Sequence, residues 1–180
     1  MGKKIVIIGG VAGGATAAAR LRRLDENAEI TVLERTGYVS YANCGLPYYV
    51  GGVIEDKSEL TLQSPASFKK RFDVDVRVLS EVTSIDRAGK TVSVKNLADG
   101  SEYTLEYDKL ILSPGAKAMV PDTPGVHSSR ILKLLTVEDA LEMRRRVVEE
   151  KPERVVVVGG GFIGLEAAEN LMEAGVPVTM

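Results

Sequence analysis

Two short runs of hydrophobic residues without alternation mark buried strands. Val and Ile occupy residues 5–8 and residues 155–158, and each run passes into glycines and then into an alanine-rich stretch. Four consecutive β-branched residues favour a strand that is covered on both faces, as in a parallel sheet. Each segment therefore predicts a buried parallel strand, a tight turn and a helix.

The two segments are copies of one unit. Residues 5–21 align with residues 155–171 without a gap, and the second copy has Gly159, Gly161 and Gly164 in a G-x-G-x-x-G pattern. In this pattern the first glycine forms the turn, the second lets a pyrophosphate approach the backbone, and the third lets helix and strand pack closely. The second copy predicts a dinucleotide site.

The first copy departs from the pattern at one position. It keeps Gly9 and Gly14 but has Val11 in the middle, where a side chain should crowd a phosphate. We expect Gly10 and Gly13 to compensate. Two glycine motifs after two Val/Ile strands still predict tandem dinucleotide folds more strongly than one motif alone.

An acidic residue follows the second strand of the first copy. Glu34 ends the segment of residues 29–35, twenty positions after Gly14. A carboxylate near this distance accepts a ribose hydroxyl in dinucleotide folds. The alternative is a solvated charge at a strand end.

The chain between the two copies alternates helix and strand signals. Ser64 and Pro65 predict the N-cap and first residue of a helix with a basic outer face. Residues 73–85 predict one strand, and residues 87–116 predict a β-meander that ends in a buried strand from residue 109. The loop at residues 121–126 is the expected boundary. A capping box at Thr136 and Asp139 then predicts a helix to about Glu150.

Composition narrows the class of protein. The 180 residues carry 23 basic and 25 acidic side chains, a formal charge of −2 and 44% apolar content. This mixed charge excludes a nucleic-acid surface, and the Lys3–Lys4 start with its glycine-rich run is too short for a membrane span. Cys44 is the only cysteine, so no internal disulfide forms and a reducing cytoplasm is expected. No metal site is predicted.

Four stretches resemble one protein superfamily. Residues 40–52 (SYANCGLPYYVGG), 64–72, 107–116 and 155–171 are similar to the single-cysteine branch of the flavoprotein disulfide reductases. That branch contains coenzyme A-disulfide reductases, polysulfide or persulfide reductases, and NADH oxidases and peroxidases. The resemblance implies an α/β fold: a Rossmann-like FAD-binding domain with a β-meander (residues 1–120), a connecting loop and helix (121–150), and the start of a Rossmann-like NAD(P)-binding domain (151–180).

The resemblance also implies roles for individual residues. The residues that would contact FAD are Gly9, Gly10, Ala12, Gly13, Gly14, Glu34, Arg35, Val82, Ser113, Gly115 and Ala116. NAD(P)H would contact Gly159, Gly161 and Gly164, and coenzyme A would contact Thr16, Arg20, Arg23, Ser40 and Asn43. Phe72 stands where these enzymes place a basic residue, and Lys69, Lys70 and Arg71 precede it. The alternative is that these arginines and lysines only form solvated faces of helices and bind no ligand.

Cys44 would be the redox-active residue of this branch. It opens the predicted helix of residues 44–50, whose unpaired N–H groups and dipole favour a thiolate. The implied reaction takes electrons from NAD(P)H through FAD to a mixed disulfide on Cys44, formed with a CoA disulfide, CoA persulfide or polysulfide. An NADH oxidase or peroxidase would instead cycle Cys44 through a sulfenic acid. A buried structural cysteine is the third reading.

The family also bears on the extent of the protein. Its members are more than twice this length, continuing through the NAD(P) domain, a returning FAD segment and a dimerisation domain. We therefore expect this chain to be the N-terminal part of a longer protein that is a homodimer. Taken alone it would be a catalytically incomplete FAD-binding fragment.

Overall fold

The computed structural model describes residues 2–180, which form two compact units. The first unit contains the residues up to Tyr41 together with Thr61–Gly115, and the second contains Ala42–Leu60 together with Ala116–Met180. The assignment of residues 1–120, 121–150 and 151–180 to functional domains remains a prediction.

A parallel sheet forms the centre of the first unit. Its strands are β1 (Lys4–Ile8), β2 (Glu29–Leu33), β5 (Asp75–Arg77) and β9 (Lys109–Leu112), in the order β5-β2-β1-β9. Helix α1 (Ala12–Leu24) connects β1 to β2, and α4 (Pro65–Phe72) precedes β5. A short antiparallel pair, β3 (Val39–Tyr41) and β4 (Thr61–Gln63), completes this part. The α/β prediction is confirmed.

Both faces of the sheet are covered, as the unbroken Val/Ile run requires. Ile5 and Ile7 of β1 pack with Ala15 and Ala18 of α1 and with Phe68 of α4 in one core cluster. Val6, on the opposite face of β1, packs with a second cluster that contains Val92, Val94 and Tyr107. The first predicted strand is therefore buried on both sides.

The β-meander supplies the second cluster. Its strands are β6 (Ser80–Asp86), β7 (Thr91–Asn96) and β8 (Glu102–Glu106), which pair antiparallel in that order. The turns between these strands lie at residues 87–90 and 97–99. This part of the prediction is confirmed.

Two strand predictions in this unit are wrong in detail. Residues 73–85 form two strands in different sheets, because Leu79 adopts a left-handed backbone with φ of 51° and redirects the chain after β5. The strand at residue 109 is half-buried, with Leu112 60% exposed, because β9 lies at the edge of the sheet. An edge strand has a neighbour on one side only.

The second unit contains the cysteine segment and the second glycine motif. A 3-10 turn (Asn43–Gly45) leads into α2 (Leu46–Gly51), and α3 is Lys57–Leu60. Helix α5 (Val137–Arg145) continues as a π-helix (Arg146–Glu150), followed by β10 (Val155–Val156), α6 (Phe162–Glu173) and β11 (Val178–Thr179). Gly51 packs directly on Asn170, since a Cβ at Gly51 would lie 2.6 Å from the Asn170 carbonyl oxygen.

The second Val run is less buried than its sequence predicts. Strand β10 has two residues and pairs in parallel with β11, while Val156 is 64% and Val158 is 94% exposed. Within residues 2–180 no third strand joins this pair. The expectation that the second Val run is buried on both faces is therefore wrong for the described structure of β10.

Candidate dinucleotide and cysteine sites

The first glycine loop is held closely against the end of the sheet. Gly9 has a φ of +94°, which side-chain-bearing residues rarely adopt, and its N–H donates to Leu33 O at 2.8 Å. A Cβ at Gly9 would fall on the carbonyl oxygen of Ser113, and a Cβ at Gly14 would fall on the carbonyl oxygen of Gly9. Both outer glycines of the first motif are therefore required by backbone packing.

The N-terminus of α1 is left open. Val11 is its N-cap and makes no side-chain capping hydrogen bond, and no acidic residue lies in the first turn, where Ala12 and Gly13 are exposed. By contrast, α4 and α5 each begin with a complete capping box, at Ser64 and Thr136. The first N–H groups of a helix need a partner, so the open end of α1 suits an anion such as a pyrophosphate.

Gly10 faces the protein core rather than the open end of the helix. It is buried, and a Cβ there would lie 3.0 Å from Val39 Cγ2 and 3.2 Å from Val32 Cγ1. Gly13 instead faces Ser113, whose Oγ would lie 3.2 Å from an added Cβ. Of the two glycines expected to compensate for Val11, Gly10 is buried and Gly13 is exposed at the surface.

Glu34 is buried and fixed by hydrogen bonds. It is 6% exposed, and its Oε2 accepts from Gly10 N at 2.7 Å. Its Oε1 accepts from both the N–H and the hydroxyl of Thr36, each at 2.8 Å. The alternative of a solvated charge at a strand end is therefore wrong. The structure joins Glu34 to the glycine loop, while a role toward ribose remains a prediction.

Other predicted FAD contacts lie at separate places around the sheet. Ser113 directly follows β9 and donates its N–H to Ile8 O at 2.7 Å, which places it beside the glycine loop. Arg35 is exposed, with Nη1 3.8 Å from Glu81 Oε1. Val82 lies in β6 opposite Val94, at a bulge in the strand pairing. Gly115 is exposed at the end of the first unit, and Ala116 is exposed at the start of a segment of the second.

Helix α1 presents an exposed face that carries two arginines. Thr16, Arg20 and Arg23 are spaced four and three residues apart, so they share one helix face, and all three are exposed. Among the described residues, neither Arg20 nor Arg23 has a hydrogen bond or an ion pair. This face could hold an anionic group.

Arg22 has a different role, which the sequence does not indicate. Its Nε donates to Phe72 O at 2.8 Å and its Nη2 to Asp73 O at 2.8 Å. Its Nη1 donates to Glu26 O at 2.6 Å. Arg22 therefore fastens the end of α1 to the end of α4, and nothing in the run of arginines distinguishes it from its neighbours.

The basic cluster of α4 is partly committed within the helix. Lys69 forms an ion pair with Asp73, and this hydrogen bond is the main cause that lowers the pKa of the Asp73 carboxyl. The Arg71 guanidinium lies 5.1 Å from the centroid of the Phe72 ring. Lys70 is exposed. Phe72 itself is half-buried and packs against the core.

Ser40 adopts an unusual backbone conformation next to the glycine loop. It lies in β3 with a φ of +49°, and its N–H donates to Gly10 O at 2.9 Å. A left-handed conformation is costly for residues other than glycine, and such strain is concentrated at functional sites. The structure therefore brings Ser40, Gly10 and Glu34 together in the first unit.

In the second unit, Cys44 is exposed. It is the middle residue of the 3-10 turn, Asn43 beside it is also exposed, and the turn runs directly into α2. Gly45 closes the turn by donating its N–H to Ala42 O at 2.9 Å. The expectation of a buried structural cysteine is therefore wrong for the residues that the structure describes.

The second glycine motif repeats the geometry of the first. Gly159 has a φ of +113°, and a Cβ at Gly164 would fall on the Gly159 carbonyl oxygen, as Gly14 does with Gly9. Gly161 is the N-cap of α6, which has no capping side chain and no acidic residue in its first turn. The open end of α6 therefore has the properties that suit an anion, and binding of a pyrophosphate there remains a prediction.

The described residues lack two kinds of feature. Residues 2–180 contain no group of three or more His, Cys, Asp or Glu side chains placed to hold a metal ion. No helix in the same span has the length and apolar content that crossing a membrane requires.

Comparison with known proteins decides the family. The profile of one family, described as pyridine nucleotide-disulphide oxidoreductase, matches residues 3–180. This chain belongs to that family. Membership of the pyridine nucleotide-disulphide oxidoreductases accounts for the repeated strand-turn-helix unit, and it confirms the resemblance to the flavoprotein disulfide reductases.

Individual members of the family resemble this chain over nearly all its length. A coenzyme A disulfide reductase from Staphylococcus haemolyticus is 39% identical over 178 residues, which cover 99% of this chain and 40% of that protein. The crystal structure of reduced CoADR-RHD from Bacillus anthracis is 49% identical, with a TM-score of 0.96, over 99% of this chain and 32% of that one. The chain therefore spans well under half of these relatives.

The name of a third relative refers to a different sulfur compound, a persulfide. The NAD-dependent persulfide reductase from A. fulgidus is 42% identical, with a TM-score of 0.91, over 97% of this chain and 32% of that structure. Similarity to these relatives places the chain among the disulfide oxidoreductases of its family.

Proposed function

We propose that the protein containing this chain reduces CoA disulfide, CoA persulfide or polysulfide, using FAD, NAD(P)H and Cys44. The observation that carries the proposal is the exposed thiol of Cys44, the only cysteine among 180 residues, on a turn that enters α2. The names of the similar reductases support the substrate class.

Two sites fit the two dinucleotides. At the end of β1, the positions of Gly9 and Gly14 leave no room for a Cβ, and the open N-terminus of α1 lacks a capping side chain, which together suit the FAD pyrophosphate. Glu34 would accept the adenosine ribose, while Ala12, Gly13 and Ser113 of the same unit would line the remaining cofactor. Gly159, Gly161 and Gly164 at the start of α6 would receive NAD(P)H.

Cys44 would carry out the sulfur chemistry. Its thiolate attacks one sulfur of CoA disulfide, so that a Cys44–S–S–CoA bond forms, the substrate S–S bond breaks and one CoA thiolate leaves. FAD held at the first glycine loop would supply two electrons that originate from NAD(P)H. The mixed disulfide on Cys44 would take up these electrons, so that its S–S bond breaks, the second CoA thiolate leaves and the Cys44 thiolate is restored. The chain has no other cysteine to resolve the mixed disulfide.

The CoA phosphates would bind the exposed face of α1. Arg20 and Arg23 have no partner among the described residues, and a cation that is not paired within the protein can accept a phosphate at low cost. Thr16 shares this face, and Ser40 and, in the second unit, Asn43 are the other CoA contacts that the family resemblance implies. We further propose a homodimer in a reducing cytoplasm, where a thiolate remains available.

Anaerobic titration tests the proposal on the full-length protein. Flavin reduced with NADH or NADPH should be reoxidised by CoA disulfide without oxygen, with release of two CoA thiols. Cys44→Ser should abolish this reoxidation but leave the reduction step intact, and Ser58→Ala, on the exposed surface of the same unit, serves as the matched control.

Each other outcome contradicts the proposal in a defined way. Reoxidation by oxygen or peroxide alone would establish an oxidase or peroxidase that uses a sulfenic acid on Cys44. A colourless protein without bound flavin would refute the cofactor assignment. Turnover by residues 1–180 alone would refute our expectation that this segment is catalytically incomplete.

A further inference from the structure

The carboxylate of Glu34 is held unequally at its two oxygens. Oε1 accepts two hydrogen bonds from Thr36, one from its N–H and one from its hydroxyl, each at 2.8 Å. Oε2 accepts one hydrogen bond, from Gly10 N at 2.7 Å. Each carboxylate oxygen can accept about two hydrogen bonds, so Oε1 is saturated and Oε2 keeps one acceptor position.

The Thr36 hydroxyl has a choice of acceptors. Its Oγ1 lies 2.8 Å from Glu34 Oε1 and 3.1 Å from the carbonyl oxygen of Tyr38. A hydroxyl has a single proton, and an ionised carboxylate is the stronger acceptor. The hydroxyl therefore donates to Glu34, and this bond prevents the carboxyl group from rotating Oε2 away from the glycine loop.

We propose that Thr36 is a positioning residue that aims Glu34 Oε2 at a ribose hydroxyl of the adenosine half of FAD. This inference rests on the proposed function, because it requires that the first glycine loop binds FAD. Thr36 acts through Glu34 and need not touch the cofactor. It thereby makes the site selective for an adenosine diphosphate unit whose ribose hydroxyls are free.

The test uses the full-length protein from which the flavin has been removed. FAD affinity is measured by quenching of its fluorescence. ADP and 2′,3′-dideoxy-ADP are then measured by displacement of bound FAD, so that only the FAD site is reported. Thr36→Val keeps the β-branched shape and removes the hydroxyl, whereas Thr36→Ser keeps the hydroxyl.

Thr36→Val should weaken FAD and ADP about tenfold, as the loss of one hydrogen bond to a charged group predicts. It should leave 2′,3′-dideoxy-ADP unchanged, and Thr36→Ser should bind all three ligands like the wild type. An equal loss for ADP and its dideoxy analogue would overturn the inference, because a merely structural change weakens both. So would a loss that serine does not restore.

The inference and the proposed function fail in different ways. A wild-type protein that does not bind FAD refutes the proposed function itself. A wild-type protein that binds FAD and prefers ADP to its dideoxy analogue, with the same preference in Thr36→Val, refutes only the role of Thr36. A wild-type protein that binds both diphosphates equally refutes the role of Glu34 and with it the inference.

Discussion

Gly13 and Gly14 are adjacent in α1, but only the substitution of Gly14 by alanine should destabilise the fold. A Cβ at Gly14 would overlap the Gly9 carbonyl oxygen and lie 3.2 Å from Ile7 Cγ2, and neither the turn nor the strand can move away easily. A Cβ at Gly13 would meet only the Ser113 side chain, with the nearest atom at 3.2 Å. That side chain can rotate.

The magnitudes follow from these contacts. Alanine in a helix gains up to about 1 kcal/mol over glycine, at both positions. Overpacking costs about 1–3 kcal/mol or more when the obstructing atoms belong to the backbone. We therefore expect Gly14→Ala to lower the free energy of unfolding by about 2 kcal/mol, and Gly13→Ala to leave it unchanged within about 0.5 kcal/mol.

Urea unfolding of the flavin-free protein, followed by circular dichroism, measures both values. FAD affinity gives a second comparison of the two variants. Gly13→Ala places a methyl group at the open end of α1, so it should weaken FAD binding without unfolding the chain. Equal stability of the two variants would refute the argument that Gly14 is fixed by its approach to Gly9.

Three further outcomes are expected. Phe68→Ala should lower the free energy of unfolding by about 3–5 kcal/mol in urea, because Phe68 is 2% exposed in the main core cluster. Ser64→Ala should cost about 1 kcal/mol in the same assay through loss of the α4 capping box. Hydrogen bonds from Arg145 and Arg146 lower the pKa of Glu142 from 4.5 to about 2, so this carboxylate stabilises the fold above pH 4.5. That contribution is lost as pH falls toward 2, and Glu142→Gln should flatten the fall in thermal midpoint over this interval.

Local signals in the sequence predicted the parts of the fold that depend on neighbouring residues. The Val/Ile run, the glycine turn and the alanine-rich helix of residues 5–21 form β1 and α1 as expected. The predicted N-cap at Ser64 and the predicted capping box at Thr136 begin α4 and α5. In each case the responsible atoms lie within one or two turns of chain, so the sequence contains the whole interaction.

Features that depend on distant partners were missed. The left-handed turn at Leu79 divides one alternating stretch into two strands, and leucine gives no local signal for such a turn. The burial of Glu34 depends on Gly10 and Thr36, and only the fold brings Gly10 to it. The exposure of Val158 depends on which strands are present beside β10, which a run of four valines cannot reveal.

At the candidate site, the sequence predicted the glycine turns and the turn that contains Cys44 better than it predicted the contacts that support them. The exposed Cys44 and the two open helix ends lie where the motifs indicated. The hydrogen bond from the Thr36 hydroxyl to the Glu34 carboxylate could have been predicted from the sequence. Thr36 follows Glu34 by two positions, and threonine hydroxyls often bond to groups that are near in the chain.

The arginines of α1 differ in how much each contributes to holding the fold together. Arg22 binds only backbone carbonyl oxygens on neighbouring segments, whereas Arg20 and Arg23 project from the same helix without partners among the described residues. Arg20 and Arg23 therefore make no hydrogen bond or ion pair within the described chain that a substitution would break, whereas a substitution of Arg22 would break the hydrogen bonds that join α1 to the end of α4. A library randomised at positions 20 and 23 should therefore yield mostly folded proteins, whereas one randomised at position 22 should not.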